Sequence, residues 1–282
     1  MSPVRVGIML GRLTPPQYGR FQSFPADTWR EEFGRARDAG LACIEWIYEV
    51  PHEDPNPVRT AEGIAEVLAL SKQTGVGVWS ICADYYMERL LVTPEGKIDE
   101  DVFSHLLFLI GQAKLLGATY IVLPFVDSSS LGGDAAKTTA AVEALSRAAP
   151  VAQAAGVELH LETDLPPGEF AALMARVDHP SVRVNYDIGN SASLGYDPNE
   201  ELTAYGDRLG SVHVKDRARG SSTVPLTTGG ADFKSCFAQF KRVGFKRWFI
   251  LQAARGEEDA ETALAAANRA RVEAWATEAG IG

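Results

Sequence analysis

One phrase recurs along the chain and restricts its fold more than any other feature. Each copy is a helical stretch that ends in glycine and is followed by an apolar, strand-like run. The copies read RDAGLACIEW, KQTGVGVWSIC, KLLGATYIVLP, AQAAGVELHLE and KRVGFKRWFIL. Their glycines are Gly40, Gly75, Gly117, Gly156 and Gly244, spaced by 35, 42, 39 and 88 residues. Because glycine readily adopts the left-handed conformation that ends many helices, the phrase predicts repeated units of one helix and one strand.

This spacing predicts eight strands, at Val4–Leu10, Cys43–Ile47, Val76–Cys82, Tyr120–Pro124, Glu158–Glu162, Val182–Tyr186, Ser211–Val214 and Trp248–Leu251. Most are continuous apolar runs, as in parallel sheets that helices cover on both faces. A doubly wound open sheet shares this alternation, but the first turn, GIMLGRLTPPQYG, lacks a dinucleotide-binding glycine motif. The sequence therefore favours an α/β fold of the (β/α)8 TIM-barrel type, as a single domain over residues 1–282.

Composition and charge exclude several classes of partner. Apolar residues make up 46% of the chain and the formal charge is -10, so electrostatic binding to nucleic acid or to an anionic membrane is not expected. No apolar run is long enough to span a bilayer, and MSPVRVGIML lacks the features of a secretory signal. The widely spaced Cys43, Cys82 and Cys236 fit reduced thiols better than disulfides. We therefore expect a cytoplasmic protein.

Polar residues stand at or beside the carboxyl ends of the last four predicted strands. Glu162 ends ELHLE, Asp187 follows VNY, His213 lies in SVHV and Gln252 follows FIL. The active site of a (β/α)8 barrel is built at these strand ends. Taken singly, each residue could be a solvated strand end or a core histidine. Taken together, they predict a site for a divalent cation such as Mn2+, Mg2+, Co2+ or Zn2+.

Several longer motifs carry a resemblance to a known family. YDIGNSASLGYD, VHVKD and VPLTTGGADFKSCFAQFKRVGF occur in this order, after WSICADYYM. Together they resemble the xylose isomerase-like TIM-barrel superfamily, also called AP endonuclease 2-like. Within it, the chain is similar to the sugar-phosphate branch that contains L-ribulose-5-phosphate 3-epimerase and hexulose-6-phosphate isomerase-like proteins. The motifs are specific for the superfamily and not for one substrate.

The resemblance implies a role for each strand-end residue. Glu162, Asp187 and His213 match metal ligands of the family, and Glu162 also matches one of its two acid/base groups. The fourth ligand and second acid/base group of the family is normally a glutamate, whereas this chain has Gln252. An amide oxygen can bind a metal but does not titrate. Gln252 therefore weakens the expectation of an epimerase that uses two bases.

Residues near the same strand ends are candidates for binding substrate. Arg219 matches a family arginine six residues after the strand-seven histidine, and Asn190 stands where some relatives have histidine. Lys215, Arg217 and Arg255 follow the seventh and eighth strands, where barrels often bind phosphate. Each of these charges could equally be a solvated loop residue.

Two further features belong to the predicted mouth of the barrel. Asp216 is three residues beyond His213 and is predicted to orient that histidine or Lys215. The long loop GRLTPPQYGRFQSFP after the first strand is predicted to cover the mouth as a lid.

These features lead to three hypotheses about function. The first is a metal-dependent isomerase or epimerase of a sugar or sugar phosphate that works through an enediolate on a ketose. The second is a dehydratase-type lyase acting on a keto-polyol, as inosose dehydratase does. The third is a non-catalytic sugar-binding barrel, because Gln252 replaces the second acid/base glutamate. The resemblance also allows a homo-oligomer, but a DNA-binding endonuclease is not expected from so acidic a chain.

Overall fold

Eight parallel strands close into a barrel in the computed structural model, which describes residues 4–282. The strands are β1 (Arg5–Met9), β2 (Cys43–Ile47), β3 (Gly77–Cys82), β4 (Tyr120–Phe125), β5 (Glu158–Thr163), β6 (Val182–Asp187), β7 (Leu209–Val214) and β8 (Trp248–Leu251). Consecutive strands pair in parallel, and β8 closes the barrel on β1 with Trp248 opposite Arg5. The predicted single-domain (β/α)8 TIM barrel is therefore confirmed.

Helices follow the strands and surround the barrel. They are α1 (Trp29–Asp38), α2 (Ala61–Thr74), α3 (Tyr85–Glu88), α4 (Glu100–Leu116), α5 (Ala135–Ala155), α6 (Pro167–Val177), α7 (Ile188–Leu194), α8 (Pro198–Ala204), α9 (Phe233–Arg242) and α10 (Glu261–Glu278). The glycines of the recurring phrase all have φ between 70° and 78°. They are therefore the left-handed helix ends that the sequence predicts. Within residues 4–282, no helix is long and apolar enough to cross a membrane.

Two strands, β2 and β8, have the predicted boundaries, and the other six differ from the predicted ones by one or two residues at an end. The largest difference is in β7, which begins at Leu209 and not at Ser211. Leu209 pairs with Val184 of β6, and the register between these strands shifts after Val184. Pairing with β6 therefore extends β7 across Gly210, although glycine has a low preference for strands.

The main apolar core lies between the barrel and its helices. Phe249 of β8 stacks on Phe237 of α9, with ring centroids 5.2 Å apart. Two strands further round the barrel, beyond β1, Trp46 of β2 packs against Trp29 and Phe33 of α1. These outward-facing strand residues bind the helices to the barrel, so its inward-facing residues are available for polar contacts.

A line of buried polar side chains runs through the barrel interior. Asn185 donates to Glu162, and Ser211 donates to Asn185 Oδ1 at 2.7 Å. His160 Nδ1 lies 2.8 Å from Ser211 Oγ, and its Nε2 lies 3.0 Å from Glu158 Oε2. The line thus links Glu162 at the carboxyl end of β5 to Glu158 at its beginning. Hydrogen bonding offsets the cost of burying these groups.

Candidate metal centre and active site

Three of the four predicted strand-end residues converge on one point. Ligand atoms of Glu162, Asp187 and His213 lie within 4.8 Å of one another, and all three side chains are buried. His213 Nδ1 is 3.2 Å from Glu162 Oε2 and 3.9 Å from Asp187 Oδ2. Because β5, β6 and β7 are neighbours in the barrel, their carboxyl ends bring these residues together. Carboxylate oxygens and an imidazole nitrogen form a donor set that suits a divalent cation.

Glu45 of β2 contacts the His213 ring on the side away from Glu162 and Asp187. The Nε2–H group of His213 donates to Glu45 Oε1 at 2.7 Å, and both side chains are fully buried. Burial alone would lower the pKa of His213, but the charges of Glu45 and Glu162 and the hydrogen bond to Glu45 hold that pKa well above its usual range. The sequence contains one signal for this role, because Glu45 is a charged residue inside the apolar run CIEWI.

Because Glu45 occupies Nε2 of His213, the other ring nitrogen, Nδ1, faces Glu162 and Asp187. Within residues 4–282, this buried Nδ1 atom has no hydrogen-bond partner of good geometry, although it lies beside the carboxylates of Glu162 and Asp187. A carboxylate that binds one imidazole nitrogen and leaves the other free for a metal is a recurrent arrangement in metalloproteins. The residues present therefore fit a divalent metal.

Two asparagines fix the carboxylate of Glu162. Asn185 Nδ2 donates to Oε2 at 2.8 Å, and Asn190 Nδ2 donates to Oε1 at 2.7 Å. Asn190 Oδ1 in turn accepts a hydrogen bond from Arg217 Nη1 at 2.8 Å. Burial alone would raise the pKa of Glu162, but the charges of the adjacent His213 and of Lys215 lower it below its usual value. Glu162 is therefore ionised at neutral pH, as a proton acceptor must be.

Lys215 lies between two other predicted residues of the site. Its Nζ is 3.4 Å from Asp187 Oδ2 and donates to Gln252 Oε1 at 3.1 Å. Burial raises the pKa of Asp187, the charge of Lys215 opposes this effect, and the charge of Glu162 adds to it. The net pKa of Asp187 is raised. Lys215 is therefore the cation that offsets the negative charge of the carboxylates in this part of the site.

Gln252 has a fixed orientation because its amide is held on both sides. Its oxygen accepts from Lys215, and its Nε2 donates to Gln22 Oε1 at 3.0 Å. Gln22 belongs to the long loop after β1, so this loop reaches the mouth as predicted, although the sequence did not single out Gln22. The role of Gln252 as a fourth metal ligand stays a prediction.

Asp216 has other partners than the predicted ones. Its carboxylate accepts backbone N–H groups of the segment 227–231 at 2.9 to 3.1 Å. These hydrogen bonds shape the loop after β7, whereas the sequence predicted a contact with His213 or Lys215. A carboxylate that ties its own loop is satisfied locally, and sequence spacing alone does not distinguish it from one that faces the site.

Two predicted substrate-binding arginines also lie elsewhere. The guanidinium of Arg219 covers Gly195, at the end of α7. Arg255 donates to backbone carbonyls of Gly11, Thr14 and Phe21, and so braces the loop after β1. Neither arginine belongs to the lining of the cavity described below.

A cavity of about 420 Å3 adjoins the candidate metal site. It is lined by Phe21, Gln22, Cys82, Asp84, Met87, Pro124, Val126, Asp127, Glu162, Asn190, Lys215, Arg217, Ser222, Thr223 and Gln252. Its volume falls within the range of about 300–1,000 Å3 that is typical of small-molecule sites. Carboxylate, amide, ammonium and guanidinium groups meet in its wall, which suits a ligand with many hydroxyl groups.

Two curated proteins match parts of the sequence. An inosose dehydratase of Geobacillus kaustophilus is 32% identical over 136 residues, which cover 40% of this chain and 44% of that protein. An L-ribulose-5-phosphate 3-epimerase of Salmonella paratyphi C is 33% identical over 108 residues, or 37% of each chain. The matched stretches therefore span less than half the length of these relatives.

The fold is shared with a solved structure over nearly the whole chain. A xylose isomerase-like TIM barrel protein of Mycobacterium smegmatis, in complex with magnesium, superposes with a TM-score of 0.72 and 20% identity, covering 98% of this chain and 97% of that one. A family model described as xylose isomerase-like TIM barrel matches residues 33–271. This range includes the strands that carry the buried metal-ligand cluster. The predicted resemblance is therefore confirmed, and the chain belongs to the family of xylose isomerase-like TIM barrels.

Proposed function

We propose that this protein is a divalent-metal-dependent isomerase or epimerase that moves a proton at a carbon next to the carbonyl of a ketose or ketose phosphate. The observation that carries the proposal is the buried cluster of Glu162, Asp187 and His213, with ligand atoms within 4.8 Å of one another. Membership of the xylose isomerase-like family and the partial match to an L-ribulose-5-phosphate 3-epimerase support it.

Glu162, Asp187 and His213 would hold the cation, and their donor set is compatible with Mn2+, Mg2+, Co2+ or Zn2+. A divalent cation in this position would supply stabilisation of the negative charge that develops on the enediolate. Glu162 accepts the proton from carbon, because its pKa is lowered and two asparagines fix its carboxylate beside the cavity. Glu45 keeps the His213 ring in one orientation.

Lys215 and Arg217 orient the sugar in this proposal. Both line the cavity, and their cationic groups can donate to hydroxyl, carbonyl or phosphate oxygens. Arg217 also donates to Asn190, which in turn donates to Glu162. A substrate that binds Arg217 therefore interacts with the same hydrogen-bonded chain that positions the proton acceptor.

The first experiment tests the metal and the base together. Bound metal is measured by mass spectrometry, and proton transfer by NMR as uptake of deuterium from D2O into L-ribulose, L-ribulose 5-phosphate or D-fructose. We expect exchange by the natural protein and a loss of at least about 100-fold in Glu162→Gln, because general-base catalysis contributes about that much or more. Glu169→Gln, an exposed glutamate in the next helix, is the control and should be unaffected. Exchange that survives in Glu162→Gln would show that another group is the base.

Gln252→Glu separates an enzyme from a binding protein. If the natural protein binds metal but exchanges no proton, and Gln252→Glu exchanges one, the protein is a sugar-binding barrel. If neither form binds metal or exchanges protons, the proposed function is wrong. Exchange at C1 alone indicates an isomerase, whereas inversion at C3 indicates an epimerase.

A lyase acting on a keto-polyol is the second candidate, because the inosose dehydratase of Geobacillus kaustophilus is 32% identical over 136 residues. Its first step would be the same, with the C–H proton passing to Glu162. The electron pair then forms a C=C bond as the neighbouring C–O bond breaks, and the hydroxyl group takes the proton from Glu162 and leaves as water. A keto-inositol assayed for water loss by NMR would distinguish this reaction, since an isomerase keeps the composition of its substrate.

A further inference from the structure

A second carboxyl group, Asp84, lines the same cavity as Glu162. It lies shortly after β3, and β4 separates this strand from β5 in the barrel. Gln22 Nε2 donates to Asp84 Oδ2 at 2.7 Å, whereas among residues 4–282 Oδ1 has only the thiol of Cys82 as a donor, at 3.3 Å. A thiol is a weak donor, so Oδ1 remains available for a stronger partner in the cavity.

Asp84 is also connected to Gln252, the residue that cannot titrate. Gln22 Oε1 accepts from Gln252 Nε2 at 3.0 Å and from Arg12 Nη2 at 3.0 Å. These two donors fix the oxygen of Gln22, so its NH2 group must point to Asp84. The hydrogen bonds that hold Gln252 therefore also orient Asp84.

The other titratable groups of the cavity wall are less suited to a second proton transfer. Lys215 is engaged by Asp187 and Gln252. Asp127 is exposed, so water surrounds its carboxylate. Burial raises the pKa of Asp84 to about 6, although the hydrogen bond from Gln22 opposes this effect. A carboxyl group with such a pKa exchanges protons readily near neutral pH.

We propose that Asp84 is the second proton-transfer residue of this site and takes the place of the strand-eight glutamate that is absent from this chain. This inference rests on the proposed function. Glu162 breaks the C–H bond and takes its proton, while the electron pair moves into the enediolate. Asp84 then gives its carboxyl proton to the same carbon from the other direction, which forms the new C–H bond with inverted configuration. Glu162 ends protonated and Asp84 ionised, and exchange with water restores both.

Asp84→Asn tests this assignment through the ratio of two rates. Deuterium uptake from D2O into L-ribulose or L-ribulose 5-phosphate reports removal of the proton, and formation of the C3 epimer reports inversion. We expect inversion to fall by at least about 100-fold, while uptake with retained configuration falls less than about 3-fold, because Glu162 can return a deuteron to the same face. Asp84→Glu keeps a carboxyl group and should recover part of the inversion.

Glu169→Gln is the control, because this exposed carboxylate lies on α6, outside the lining of the cavity. It should change neither rate by more than about 3-fold. Bound metal and the melting temperature show whether each variant is folded. Inversion by folded Asp84→Asn at the natural rate would overturn the assignment, and so would an equal loss of uptake and inversion. Absence of deuterium uptake by the natural protein would instead contradict the proposed function on which it rests.

Discussion

At the scale of single residues, the distinctive feature of the site is the amide of Gln252, at a position where the resemblance predicts a glutamate. With Gln252 in place of a glutamate, the predicted ligands carry two negative charges, on Glu162 and Asp187. These charges balance a dication. We therefore expect the bound metal to be a stronger Lewis acid than in a site with three carboxylates, and to be held less tightly. Lys215 further reduces the negative potential, because its ammonium group lies 3.4 Å from Asp187 Oδ2.

Among the residues that support the predicted ligands without binding the metal, Glu45 should contribute most to metal affinity. Glu45→Gln keeps the size of the side chain but removes the charge that supports the His213 ring. Because such supporting residues typically contribute about 10–100-fold to metal affinity, we expect a loss in this range for Mn2+, measured by isothermal titration calorimetry. Asp127→Asn serves as the control. Equal affinities for natural protein and Glu45→Gln would show that the contact is structural only.

At the scale of elements, α1 determines the position of the loop after β1. Glu32 of this helix is buried and accepts hydrogen bonds from the backbone N–H groups of Gly11 and Leu13, at 2.7 and 3.3 Å, and from the hydroxyl of Thr14 at 2.7 Å. Burial raises its pKa to about 7 despite these donors. The same loop carries Gln22, so a helix on the outside of the barrel fixes a residue of the site.

Replacing Glu32 should destabilise this loop together with the fold. In Glu32→Ala, two buried N–H groups lose their acceptor, and each such group costs about 1–3 kcal/mol. We expect the free energy of unfolding to fall by about 2–4 kcal/mol, measured by urea denaturation. Glu31→Ala removes only an exposed pair with Arg35, and its effect should stay within about 0.5 kcal/mol. If both variants were equally stable, the buried carboxylate would not hold the loop.

At the scale of the whole molecule, Glu158 links three strands at the end of the barrel opposite the site. This first residue of β5 accepts hydrogen bonds from Arg183 of β6 at 2.9 Å and from Arg247, just before β8, at 3.0 Å. It also contacts His160 inside the barrel. Burial alone would raise the pKa of Glu158, but the hydrogen bonds and charges of His160 and Arg247 lower it far below its usual value.

Glu158→Gln should therefore have an effect that depends on pH. A carboxylate whose pKa is lowered in the folded state stabilises the fold at pH values above its pKa in the unfolded chain, which is about 4.3. This stabilisation is lost as the pH falls towards the pKa of the folded state. We expect Glu158→Gln to cost about 2 kcal/mol at pH 7 and less at pH 3.5, measured by urea unfolding at both values. A cost that grew at low pH would contradict the sign of this pKa shift. Glu143→Gln, on α5, is the control.

The sequence by itself determined the fold, the family and the strand ends that carry the site. Glycine at each helix end and continuous apolar strands are local signals, because they reflect backbone conformation and burial on both faces of a sheet. Glu162, Asp187 and His213 could be named because parallel strands of a barrel end at the same edge. The sequence also predicted that Gln252 stands in place of a glutamate, and this stays a prediction.

Only the tertiary structure decided which other side chains reach those residues. Glu45 meets His213 across 168 positions of sequence, and Gln22 meets Gln252 across 230. Arg255 points to the loop after β1 and not into the cavity, because three backbone carbonyls there need donors. The direction of a long side chain in a loop depends on such partners, which local sequence does not specify. Strand ends are set by the backbone, whereas loop contacts are set by the packing of the complete barrel.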